Sequence, residues 1–178
     1  RRGWCVVLPF WKKVMNNIAN IGIFEKIWLL STLHFKDITM AFIIRKCKKE
    51  DLPSVLTLIK ELAAFEKEPD AVEVTLEELE KEGFGERPLF ECIVAEVDKK
   101  VVGMALFYFR FSTWKGRSLH LEDLIVKQTL RGKGIGKALY TAFLKYCEEK
   151  GVRRAEWVVL DWNQNAIEFY EKSGATLL

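Results

Sequence analysis

The residues most suggestive of chemistry form the run Arg131-Gly132-Lys133-Gly134-Ile135-Gly136-Lys137, three alternating glycines among basic side chains, placed just ahead of an apolar run with helical spacing. A strand, a flexible turn and a helix N-terminus together present successive backbone N–H groups, and the helix dipole favours negative charge there, so this element predicts a cradle for phosphates. The spacing narrows the ligand. A Walker loop requires a glycine where Arg131 stands and Ser or Thr where Ala138 stands, and the dinucleotide fingerprint requires a glycine at Lys137. Both fail. What remains is Arg131-x-x-Gly134-x-Gly136.

Acidic residues give the second signal. Glu122 and Asp123 sit in a run otherwise made of Leu, Ile and Val, Leu119-His120-Leu121-Glu122-Asp123-Leu124-Ile125-Val126. On a regular strand adjacent side chains alternate, so the pair is expected to point to opposite faces, with His120 on the face of Glu122. One carboxylate can then face a pocket while the other meets solvent or a helix terminus, with edge solvation as the plain alternative, and a lone histidine within a strand is first of all a structural residue, with a minor substrate-side role open to it. Tyr170 reads as a half-buried helix residue packing beside Phe169. Asn163 is placed to cap the last helix.

The elements that must carry these residues begin at Met40. Residues 42–46 read as a strand, and Glu50-Asp51 opens an amphipathic helix with Leu52, Val55, Leu56, Leu58, Ile59 and Leu62 on its apolar face. Thr75 with Glu78 forms a capping box for a second helix ending near Gly83. Residues 90–97 and 100–111 form a hairpin through an Asp98-Lys99 turn, residues 117–126 a further strand, residues 154–160 another, and the last helix spans 165–172 before Gly174. The predicted class is α+β, an α/β/α layering on a mixed, mostly antiparallel central sheet.

Composition sets limits on partners. The chain has 178 residues, 49% of them hydrophobic, which suits one domain with a sizeable core. Residues 1–39 hold six Lys and Arg against two acidic residues, while the remainder holds 22 against 23. The near-neutral body gives no electrostatic case for nucleic acid. Four dispersed cysteines (Cys5, Cys47, Cys92, Cys147) and two histidines predict no metal site and reduced, mostly buried thiols in the cytoplasm. No uninterrupted apolar stretch reaches the roughly 18 residues of a membrane span. Residues 1–39 read as an N-terminal extension outside the functional domain of residues 40–178, with an amphipathic membrane-surface helix over residues 10–32 as the alternative.

The Arg131-x-x-Gly134-x-Gly136 element, with the block Leu121-Glu122-Asp123-Leu124 before it and Asp161-Trp162-Asn163 and Phe169-Tyr170 after it, resembles the GNAT superfamily of N-acetyltransferases. Further likeness in Ile59-Lys60-Glu61-Leu62-Ala63, Phe65-Glu66, Gly83-Phe84-Gly85 and Ser112-Thr113-Trp114-Lys115-Gly116 points to its diamine branch, the spermidine/spermine and thialysine acetyltransferases and their bacterial relatives. The resemblance implies the acyl-CoA N-acyltransferase fold, acetyl-CoA as cosubstrate, a small amine as acceptor, and a homodimer. It implies that Leu124, Ile125 and Val126 flank the acetyl and pantetheine arm. Arg131, Gly132, Lys133, Gly134, Ile135, Gly136 and Lys137 would surround the pyrophosphate, and Asn163, Gln164, Asn165 and Ala166 would also touch the cofactor. It further implies Glu122 as the residue acting on the amine proton, Tyr170 as the acid for the leaving thiolate, and Phe65 and Glu66 at the acceptor.

One departure accompanies the resemblance. The family continues past Gly174-Ala175 with a last strand beside the one at residues 154–160, whereas this chain runs only to Leu178, so either that strand is missing and its edge open or the strand is supplied otherwise. Two other readings stand beside the polyamine one: an acetyltransferase for a protein or antibiotic amine, and a non-catalytic coenzyme A-binding module.

Overall fold

In a computed structural model of the chain, residues 2–7, as backbone, and residues 40–177 are described. The elements are β1 (Arg2–Val7), β2 (Ile43–Lys46), α1 (Leu52–Phe65), α2 (Leu76–Phe84), β3 (Glu91–Val97), β4 (Lys100–Ser112), β5 (Gly116–Val126), α3 (Ile135–Glu149), β6 (Arg154–Val159), α4 (Gln164–Lys172) and β7 (Thr176–Leu177). One sheet runs in the order β2-β3-β4-β5-β6-β1-β7. Its neighbours are antiparallel except for β5 and β6, which are parallel.

Local chemistry accounts for several element ends. Thr75 and Glu78 cap α2 reciprocally, the Thr75 N–H donating to the Glu78 carboxylate at 2.9 Å and the Glu78 N–H to the Thr75 hydroxyl at 3.2 Å. Asp98 and Lys99 both take positive φ, 48° and 62°, as a two-residue turn matched to strand twist requires. The Asn163 side chain accepts from the Ala166 N–H at 3.2 Å and starts α4.

Each face of the sheet carries its own core. Leu52, Val55 and Leu58 of α1 and Leu79 of α2 pack with Val94, Met104, Leu106 and Ile125. On the other face Leu139, Tyr140, Phe143 and Leu144 of α3 and Ile167 and Tyr170 of α4 pack with Ala105, Phe107, Leu119 and Leu121. The expected layering is therefore present.

The β6 edge departs from expectation. β1, from the segment expected to lie apart from the domain, runs antiparallel along β6 from Arg2↔Val159 to Val7↔Arg154, and β7 pairs with β1 in turn. Main-chain hydrogen bonding to β1 thus covers that edge, so of the two expected outcomes the strand is supplied otherwise. The surface helix expected over residues 10–32 falls outside the described residues.

The parallel β5–β6 ladder is short. Among the described pairs it runs from Ser118↔Arg154 to Leu121↔Trp157, so β5 beyond Leu121 has its β6-facing backbone edge unpaired by that ladder. The cleft that follows from this divergence is where the candidate residues collect.

Candidate active site

Two depressions meet at the divergence of β5 and β6. The first is a groove of about 440 Å³ lined by Leu62 and Phe65 of α1, Leu124, Ile125 and Val126 of β5, Arg131, Gly132 and Gly136 of the glycine turn, and Asn163, Asn165, Ala166, Phe169 and Tyr170 around α4. The second is a pocket of about 310 Å³ whose polar wall is Glu66, His120, Glu122 and Asp123. A cavity of about 70 Å³ touches both, and Glu122 and Tyr170 both line it.

The turn is built to receive an anion. Gly132 and Gly134 have φ of 76° and 82°, values that a side chain would strain. A Cβ at either would meet no protein atom within 4 Å, so the space in front of the turn is open. The first intrahelical bond of α3 runs from the Ala138 N–H to the Gly134 carbonyl, so the N–H groups of Ile135, Gly136 and Lys137 precede it and have no helical acceptor. Arg131 does not reach out freely: its Nε donates to the Val126 carbonyl at 3.0 Å, and its guanidinium lies 4.9 Å from the Phe65 ring. These observations fit a phosphate-bearing cofactor. Lys133, Gly134, Lys137 and Gln164 are exposed around the groove rather than among its lining, and the Ile135 side chain is buried in the core, which leaves only its backbone to contribute.

Phe65 and Glu66 part company. Consecutive helical residues are rotated by about 100°, so at the C-terminal end of α1 one turns to the groove and the next to the pocket. Glu66 lines the acidic pocket, whereas Phe65, expected at the acceptor, lines the groove and packs 5.5 Å from Trp162.

The acidic pair also differs from the alternation rule. Leu106 pairs with Asp123 and Phe107 with Leu121, which leaves Glu122 as the extra residue of a β-bulge. Leu119 and Leu121 face α3 before the bulge, and Ile125 faces α1 after it. Glu122 and Asp123 consequently line the same pocket. Glu122 is the more exposed, and the Tyr108 hydroxyl donates to its Oε2 at 2.9 Å. Asp123 is set deeper; burial first, then the neighbouring Glu122 and Glu66 charges, raise its pKa to about 7.

Tyr170 is 7% exposed and held by ring contacts with Trp157 at 4.7 Å, Phe169 at 5.2 Å and Tyr140 at 5.7 Å. Burial is the main cause raising its pKa, so it stays protonated at neutral pH. Leu62 in the groove and Val158 and Leu160 in the pocket had no polar signature to single them out in sequence. Tyr108, Arg110 and Glu156 could have been found only by knowing the register of β4, β5 and β6.

Among the described residues, no helix is long and apolar enough to cross a membrane.

Comparison with known proteins follows the same lines as the geometry. The chain is 42% identical over 145 residues to a thialysine N-epsilon-acetyltransferase of Bos taurus, covering 76% of this chain and 85% of that protein. It is 39% identical over 141 residues to the human spermidine/spermine N(1)-acetyltransferase-like protein 1, covering 75% of this chain and 20% of that much longer protein. Among solved structures, an aminoglycoside acetyltransferase from an uncultured soil metagenomic sample, in complex with trehalose, superposes with a TM-score of 0.64 at 25% identity, covering 74% of this chain and 86% of that one. Residues 52–175 match the Acetyltransferase (GNAT) family, the span that holds both depressions and the glycine turn, and the chain belongs to that family of N-acetyltransferases.

Proposed function

We propose that the protein, through a functional domain of residues 40–178 whose sheet β1 extends, transfers an acetyl group from acetyl-coenzyme A to a primary amine of a small di- or polyamine or of a lysine-like amine such as thialysine. The observation that carries this reading is the shared cavity between Glu122 and Tyr170, with an acidic pocket on one side and a phosphate-competent groove on the other.

Acetyl-coenzyme A supplies the activated acyl carbonyl. Leu124, Ile125 and Val126 hold its arm along the unpaired edge of β5, the amides of residues 132–137 receive the pyrophosphate, and Asn163–Ala166 close over it. An ammonium must lose a proton before its nitrogen can attack, and Glu122 takes that proton directly or through a water. As the C–N bond forms and the C–S bond breaks, the Tyr170 hydroxyl protonates the departing sulfur, the second proton shed by the nitrogen restores that hydroxyl, and the proton taken by Glu122 passes to solvent, one released overall. Glu66 and Asp123 hold the distal positive charge of a dicationic acceptor. The names of the bovine relative, a thialysine N-epsilon-acetyltransferase, and of the human one, a spermidine/spermine N(1)-acetyltransferase-like protein, support this acceptor class. The buried thiols Cys47, Cys92 and Cys147 are free, in keeping with a proposed cytoplasmic location. A homodimer is proposed as well, to be checked by light scattering.

The test is release of free coenzyme A thiol across a panel of diamines, monoamines, aminoglycosides and peptide amines, with products identified by mass spectrometry. Diamines and lysine-like amines should lead. A preference for aminoglycosides or peptides would replace the acceptor class, and no thiol release with any amine would overturn the reading.

A further inference from the structure

Behind the acidic pocket lies a row of polar side chains that the proposed chemistry does not use. Tyr108, His120 and Glu156 stand directly opposite one another on β4, β5 and β6. Glu156 is one of two buried polar residues among those described, 8% exposed, and it is flanked by two arginines: Arg110 Nη1 at 2.7 Å from its Oε1 and Arg154 Nη2 at 2.9 Å from its Oε2. Arg110 Nη1 is also 3.3 Å from His120 Nδ1, and His120 Nε2 is 3.5 Å from Glu122 Oε2, the oxygen that already accepts from Tyr108.

The direction of this chain follows from the donors. An arginine can only donate, so His120 Nδ1 facing Arg110 is the accepting nitrogen, and the proton of the neutral ring sits on Nε2. The carboxylate oxygen within reach of that nitrogen is Glu122 Oε2, at 3.5 Å. The alternative, an imidazolium with Nδ1–H on Glu156, has that pair at 3.9 Å with a cation already on the same oxygen. Burial lowers the His120 pKa most; Arg110 lowers it further, while Glu122 and Glu156 oppose. The charged and titratable groups around the ring are Tyr108 and Arg110 from β4, Glu122 from β5, and Glu156 and Arg154 from β6, with Glu66, just past the end of α1, on the same pocket.

We infer that His120 is a positioning residue of the acceptor site: Glu156 fixes Arg110, Arg110 fixes the Nε2–H tautomer of His120, and that N–H, with the Tyr108 hydroxyl, holds Glu122 Oε2 so that the carboxylate presents a set orientation to the incoming amine. The inference rests on the proposed amine acetylation for its kinetic arm, but not for its spectroscopic one. His120 stays neutral throughout and carries no proton away. It differs in this from a general base, which must alternate between two charge states.

The experiment has two arms. Histidine-labelled protein contains only His34 and His120, so nitrogen-detected NMR, with His34→Gln to assign the signals, reads the tautomer of His120 directly. At pH 7 the expected result is a protonated Nε2 and an unprotonated Nδ1, and Arg110→Met should mix the two tautomers. A Nδ1–H form or an imidazolium at pH 7 overturns the inference whether or not the enzyme has turned over any amine.

The kinetic arm compares His120→Gln with His120→Asn. A glutamine amide reaches the place of Nε2 and can still donate to Glu122; an asparagine amide reaches only the place of Nδ1. His120→Gln should keep kcat/KM for the best diamine within about threefold, and His120→Asn should lose about tenfold, the loss expected for one hydrogen bond to a charged group, with coenzyme A affinity unchanged in both. Equal losses in the two variants would overturn the positioning role. Absence of acetylation in the parent protein would instead count against the proposed function and leave the tautomer measurement standing.

Discussion

Glu122 and Asp123 are consecutive in the chain yet open onto one pocket, because the β4–β5 ladder shifts by a residue between Leu106 and Phe107 and leaves Glu122 unpaired. The bulge brings two carboxylates together with Glu66, and their mutual repulsion adds to burial in raising Asp123 to a pKa of about 7.

Asp123 therefore has a stability signature. Its pKa is raised above the unfolded value of about 4, so the folded state binds the extra proton between pH 4 and 7 and stability falls as pH rises through that window. Asp123→Asn removes the penalty. The melting temperature of the variant should exceed that of the parent at pH 8, by roughly 2–4 kcal/mol of stability, and the two should converge near pH 4 to 5. A gain independent of pH would place the origin outside the carboxylate.

The same titration reaches the acceptor. Ionisation of Asp123 above about pH 7 adds an anion to the pocket, so the KM for a diamine should fall between pH 6 and 8, where the diamine itself stays doubly charged. In Asp123→Asn that fall should flatten. Initial-rate measurements across the range decide it.

Glu66, just past the end of α1, lines the acidic pocket with Glu122 and Asp123. Glu66→Gln should raise KM for diamines about fivefold, with kcat and monoamine kinetics little changed, and the difference should shrink in high salt. Equal loss with both acceptor classes would remove Glu66 from distal-charge recognition.

Gly134 caps α3 at φ 82° with open space before it. Gly134→Val should cost about 1–2 kcal/mol of stability from the left-handed backbone and also fill the phosphate space. Coenzyme A, which should raise the parent's melting temperature, should then have no effect on the variant's.

Tyr170 sits in an aromatic cage that the ring alone maintains. Tyr170→Phe should leave stability and coenzyme A affinity near those of the parent while kcat falls roughly 10–100-fold, the lower range for loss of a general acid. Unchanged kcat would pass the acid role to water.

How much of this was legible from residues alone follows from the range of the forces involved. The Thr75/Glu78 capping box, the Asp98-Lys99 turn, the Asn163 cap and the glycine turn at residues 131–137 are settled within four to seven consecutive residues, by side chains that satisfy nearby backbone groups or permit positive φ. Those features read directly from the chain. Helical spacing likewise placed Leu52, Val55 and Leu58 on one face of α1.

Other features depend on how distant strands meet. Alternation put Glu122 and Asp123 on opposite faces; the bulge against Leu106 and Phe107, sixteen or so residues away, put them on one. The turn of α1 at its end, set by docking against β5 and the Arg131 side chain, sent Phe65 to the groove and left Glu66 in the pocket. The row Tyr108, His120 and Glu156 exists only because three strands align in register, and the cleft only because β5 and β6 part after Leu121. Propensity and capping act through neighbours in sequence, whereas register and divergence are decided by the packing of two cores on a shared sheet, so the chemistry-bearing residue types were determined by the sequence and their mutual geometry by the tertiary fold.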